Sequence, residues 1–91
     1  MKPVEPIAKR LHELGALDAA AHLAVANSCA LDRLLAGDRH RGPARARRLL
    51  WLELRRAWQF NDSAIARIFG VDHTTVRAGI LKAEREERAA S

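Results

Sequence analysis

Residues 61 to 82, NDSAIARIFGVDHTTVRAGILK, decide how this chain is read, because they spell two short amphipathic helices around a glycine turn. Asn61 or Asp62 can cap the first, and Ile65, Ala66, Ile68 and Phe69 recur at a spacing that lays an apolar stripe along one side of it. Gly70 ends that helix, since the residue just past a helix C-terminus often takes positive φ, which glycine alone adopts without a steric cost. Val71 then plugs the turn. Asp72 can accept a hydrogen bond from the amide of Thr74 or Thr75, which starts a second helix with Val76, Ile80 and Ala83 on its buried side. His73, Thr74 and Arg77 are left facing out.

The pattern is that of a helix-turn-helix, in which the first residues of the second helix meet base edges in the major groove. Short hydroxyls, an imidazole and an arginine can read those edges, and threonine methyls suit the thymine methyl group. The same spacing also fits a plain helical hairpin whose polar face is solvated.

Working outward, 91 residues provide for one domain with one modest core. Apolar residues make up 48% of the chain and aromatics only 4%, so the core must be built mainly of Ala and Leu, which favours helices over strands. The net charge is +5, and its placement is uneven. Residues 1 to 38 carry four basic and five acidic groups, and residues 57 to 91 carry five of each, whereas residues 39 to 56 hold seven arginines against the single acid Glu53. Arginine presents a planar fork that suits phosphate oxygens and guanine edges, so this patch points to nucleic acid more than to membrane.

The single cysteine, Cys29, rules out an internal disulfide framework and fits a reducing cytoplasm; its Ala-rich surroundings read as helix, with the thiol as a small core residue. No apolar run approaches the roughly 20 residues of a membrane span, and the N-terminus lacks the apolar region of a signal peptide. A soluble, cytoplasmic, nucleoid-associated protein is expected. His22 and His40 have no second ligand at a metal-binding spacing, so neither metal nor other cofactor is expected, and no acid/base pair or activated nucleophile suggests an enzyme.

In chain order, Ile7, Leu11 and Leu14 predict a short helix ending at Gly15, treated as an N-terminal extension over residues 1 to 17, with the main domain over 18 to 91. Asp18 is expected to cap a second helix that turns Leu17, Ala21, Ala24 and Val25 inward, and Leu31, Leu34 and Leu35 predict a short helix stopped by Gly37. Residues 38 to 48, DRHRGPARARR, read as a basic loop ahead of a long helix over 44 to 59. Its leucines and its tryptophans, Trp51 and Trp58, spread over more than half the circumference, so it should be the central post, with Arg47, Arg48, Arg55 and Arg56 on its uncovered side. After Lys82 the second helix of the motif runs on, with Glu84 and Arg88 at pairing distance.

With the stretch from Arg39 to Lys82 in view, the chain resembles the C-terminal DNA-binding domain of the bacterial replication initiator DnaA. The likeness centres on residues 72 to 76, DHTTV, matching that family's signature, and extends through residues 34 to 48, LLAGDRHRGPARARR, similar to its basic loop and the start of its long helix. It covers roughly residues 20 to 85. The turn at Gly70-Val71-Asp72 is one residue shorter than the family's usual turn, and Asp62 and Ser63 stand where Leu and Pro are common.

The resemblance implies a small all-α bundle of the DnaA DNA-binding-domain or Trp-repressor type that binds double-stranded DNA at DnaA-box-like sites. It implies that Arg39 enters the minor groove, that Arg47 and Arg48 contact backbone and bases, that Asp72, His73, Thr74 and Thr75 read the major groove, and that Lys82 adds a basic contact. With Arg41, Arg45 and Arg77, these residues are the expected DNA-binding set. The phosphate-cradling G-x-x-x-x-G-K-[ST] of the initiator's ATPase does not occur, so a free-standing relative acting as an accessory or regulatory factor in replication initiation is expected. Its partners would include the initiator or its regulators. A phage- or mobile-element-type helix-turn-helix regulator fits the same residues, as does a module that binds replication proteins without binding DNA. Oligomeric state is left open.

Overall fold

In the computed structural model, which describes residues 3 to 90, apolar spacing turns into six helices: α1 (Glu5–Glu13), α2 (Leu17–Ala26), α3 (Leu31–Ala36), α4 (Arg41–Arg56), α5 (Asp62–Phe69) and α6 (His73–Ala90). They make up 76% of the described residues, which contain no strand. The radius of gyration is 11.8 Å, near the roughly 12 Å of a packed body of this length.

One apolar cluster joins all the helices except the ends. Leu50 and Leu54 of α4 are fully buried and share it with Ile7 and Leu11, Ala20 and Ala24, Leu34 and Leu35, Ile65 and Phe69, and Val76 and Ile80. α4 is its axis, as the spread of its apolar residues predicts. Trp51 packs edge-on against Phe69 with ring centroids 5.8 Å apart. The short first helix docks into this same core, and the half-buried Trp58 fixes it by donating its indole N–H to the Leu14 carbonyl at 2.9 Å.

The stops are local. α3 ends at Gly37 and α5 at Gly70, both in the left-handed region, as their sequence positions predict. Asn61 is the residue that caps α5, its side-chain oxygen accepting from the Ala64 amide at 2.8 Å.

Several expectations are corrected. α4 runs from Arg41 to Arg56 rather than over 44 to 59; Trp58 lies beyond the helix and Gln59 takes positive φ, while much of the predicted basic loop is helix. The physical reason is Pro43: in a first turn the missing N–H would have had no helical partner, and the ring is already set for helical φ. α2 starts at Leu17 without a side-chain cap, and Asp18 instead sits inside its first turn, where its charge suits the helix dipole. Val25 is 78% exposed rather than inward, and Ala20 takes the buried place. Cys29 lies between α2 and α3, half-buried rather than helical, and burial followed by the field of Asp38 pushes its thiol pKa up. Glu84 faces Arg56 across helices at 3.9 Å rather than a neighbour on its own helix.

α4 and α6 pack backbone against ring at Gly79. A Cβ there would lie 2.7 Å from the Trp51 ring, so only glycine lets α6 lie this near to α4.

Candidate functional site

The beginning of α6 is built by Asp72. Its carboxylate accepts from the Thr74 amide at 3.0 Å and from the Thr74 hydroxyl at 3.0 Å, bonds that hold its pKa below the ordinary carboxylate value, the backbone bond first. Asp72 is therefore a cap, and one of the two threonine hydroxyls is turned back onto it. His73, Thr74, Thr75 and Arg77 are all exposed, while Val76, Gly79, Ile80 and Ala83 carry the packing side. The outward set read from the sequence is thus outward in the fold.

α4 and α6 run side by side in the same sense, with Thr75 and Ala78 beside Ala44 near one end and Glu87 beside Arg56 at the other. Between them lies a groove lined by Ala44, Arg47, Arg48 and Trp51 from one helix and Thr75, Ala78, Gly79 and Lys82 from the other. The groove brings together four of the expected contacts: Arg47, Arg48, Thr75 and Lys82. Arg41 and Arg45 are exposed one turn apart on α4, and Arg45 also lies near enough to influence Glu86 on α6.

The arginine patch is not free. Arg47 is half-buried and donates to the Leu34 carbonyl at 3.2 Å and the Asp38 carbonyl at 3.1 Å, with its guanidinium carbon 6.0 Å from the Trp51 ring centroid. Arg48 donates to Glu86 at 3.0 Å, Arg55 to Asp62 at 3.2 Å, and Arg56 to both oxygens of Glu87 at 2.9 and 3.1 Å. Arg47 and Arg48 consequently leave the uncovered side expected for them, because α6 covers that part of α4. Among the described residues Arg39, Arg41 and Arg45 have no acidic partner.

Arg39 stands exposed in the short link between α3 and α4, and that link is pinned rather than loose. The Asp38 carboxylate accepts from the His40 amide at 2.8 Å, from the His40 ring at 2.6 Å and from Arg33 at 2.9 Å, which holds its pKa well below the carboxylate range. Its carbonyl is the one taken by Arg47. Arg47 also lines the α4–α6 groove, so one side chain joins the link that carries Arg39 to the groove that Thr75 lines.

Sequence reasoning passed over Asp38, Gly79 and Glu86. An aspartate two residues before an amide it can bond is a turn signal visible in Asp38-Arg39-His40, and an isolated glycine inside a helical pattern signals close packing at Gly79. Glu86 had no such signal. Among the described residues no group of three metal-ligating side chains comes together, and no helix is long and apolar enough to cross a membrane.

The fold and these residues define a small all-helical protein with a basic, hydroxyl-bearing face on one helix pair. No family model, curated protein or solved structure matches the chain.

Proposed function

We propose that this protein binds double-stranded DNA in a sequence-selective way, using α5, the Gly70-Val71-Asp72 turn and α6 as a helix-turn-helix. In this reading α6 enters the major groove, His73, Thr74 and Arg77 meet base edges, and Thr75 and Lys82 meet the backbone. Arg39 reaches into the adjacent minor groove from its pinned link, and Arg41 and Arg45 lie against phosphates. The DHTTV signature at residues 72 to 76 makes DnaA-box-like sequences the target to try first, with a bacterial accessory or regulatory role in replication initiation. The observation that carries the reading is the exposed His73-Thr74-Thr75 start of α6 on a molecule whose unpaired cations include Arg39, Arg41 and Arg45.

The test is fluorescence anisotropy with a labelled DnaA-box duplex and a scrambled duplex over a range of salt. Preference for the box, with a log–log salt slope of roughly −0.9 per phosphate contact, supports the reading. Equal affinity for both duplexes removes the DnaA-box target and leaves a regulator with another operator. Absence of binding to either overturns the DNA reading in favour of a protein-interaction module.

A further inference from the structure

An acid, Glu86, stands beside the groove between α4 and α6, bonded to the lining residue Arg48. Arg48 is only 17% exposed through its side chain, and it donates to Glu86 Oε1 at 3.0 Å, while Glu86 itself is 35% exposed. The Arg48 Nε is buried with no hydrogen-bond partner, so its guanidinium is aimed by packing and is not fully used by Glu86. The positive fields of Arg45 and Lys82 reach the same carboxylate, and Lys82 lines the groove on the helical turn before it. A carboxylate among three cations, beside a groove open to solvent, offers the charge and acceptor oxygens that a phosphate would offer.

We propose that Arg45, Arg48 and Lys82 form a phosphate site and that Glu86 is its built-in occupant, which a nucleic-acid phosphate must displace. The source of the phosphate, a DNA strand, rests on the function proposed above; the anion site does not. Glu86 sits at the edge of the α4–α6 contact with its side chain 35% exposed, so water already reaches the carboxylate that a phosphate would displace. Because the Arg48 guanidinium is mostly buried it needs an anion beside it, and a phosphate can serve in place of Glu86, which makes the carboxylate a brake rather than a lock. Glu86 thereby lowers affinity for any duplex about equally and leaves base preference to the start of α6.

Glu86→Gln in the full chain tests this in two ways. In thermal melts, added inorganic phosphate should raise the melting temperature of the variant above a chloride control of equal ionic strength, and raise that of the unaltered protein less. Adding Lys82→Gln to the variant should abolish the gain; Lys82 is exposed, so the second change does not threaten folding. In anisotropy, Glu86→Gln should bind box and scrambled duplexes roughly two- to fivefold more tightly, with the salt slope steeper by about 0.9. Phosphate stabilisation of the variant without DNA binding by either protein upholds the anion site and fails the DNA reading. DNA binding that Glu86→Gln leaves unchanged or weakens overturns the brake while the DNA reading stands. No phosphate effect beyond chloride overturns the site.

Discussion

Arg39 and His73 are exposed and chemically suited to base edges. Among the described residues the one ion-pair contact either makes, from the His73 ring to the Asp72 carboxylate at 3.3 Å, is itself exposed and weak, so replacing either tests recognition more than the fold. Arg39→Ala and His73→Ala should each weaken specific binding by about 1 to 3 kcal/mol where a base contact is lost, with unchanged thermal stability. Equal affinity in both variants would remove them from the interface. Gly79 makes the opposite case. A methyl 2.7 Å from the Trp51 ring must push α6 away from α4, so Gly79→Ala should lower stability by about 1 to 3 kcal/mol in urea denaturation, although alanine is the better helix former. A stabilised variant would mean the crossing has room to spare. Arg47 and Arg48 occupy middle ground, since loss of either also removes contacts inside the molecule.

The helices differ in how much of them the sequence discloses. α3 and the start of α6 follow directly from local chemistry: leucines at helical spacing before Gly37, and an aspartate two residues ahead of the amide it caps. The start of α4 was hidden because Gly42-Pro43 reads as a break, while at a first turn proline is compatible with helix. Cross-helix ion pairs were not legible at all. Arg48 and Glu86 are 38 residues apart, and Arg56 and Glu87 are 31 apart, so nothing in their local spacing ties them together. The outward residues of α6 could therefore be read in advance, whereas the neutralisation of much of the arginine patch could not. The cap of α5 offers a test at this level: Asn61→Ala should cost about 1 kcal/mol of stability, and Asn61→Asp should retain most of it. Loss confined to α5 would show as faster exchange of the Ala64 amide.

For the molecule as a whole, acid is the revealing condition. Asp38, Asp72, Glu86 and Glu87 are each held below their ordinary pKa by the donors that face them. Such groups bind protons more readily in the unfolded chain. Their contribution to stability is full above the unfolded carboxylate pKa of about 4 and is lost as the pH falls through the folded values. The urea midpoint should change little between pH 7 and about 5 and drop below about 4, and Asp38→Asn should flatten part of that drop. A midpoint independent of pH down to about 3 would mean that these pairs do not stabilise the fold.

The bond from Trp58 to the Leu14 carbonyl spans 44 residues and joins the end of the first helix to the segment just after the fourth. In kinetic terms it is a long loop to close, and loop-closure entropy must be met before the contact returns any stability. The helices from α3 onward are near neighbours in sequence and can form a nucleus without it. Docking of α1 is then a late event on the folding path. Leu11→Ala, expected to cost about 2 to 5 kcal/mol, should act mainly by accelerating unfolding and leave the refolding rate nearly unchanged. A chevron with its folding limb displaced instead would place α1 in the nucleus. The order matters to a cell, because a chain whose first helix docks last exposes its apolar side, Ile7 and Leu11, for as long as synthesis takes to deliver Trp58.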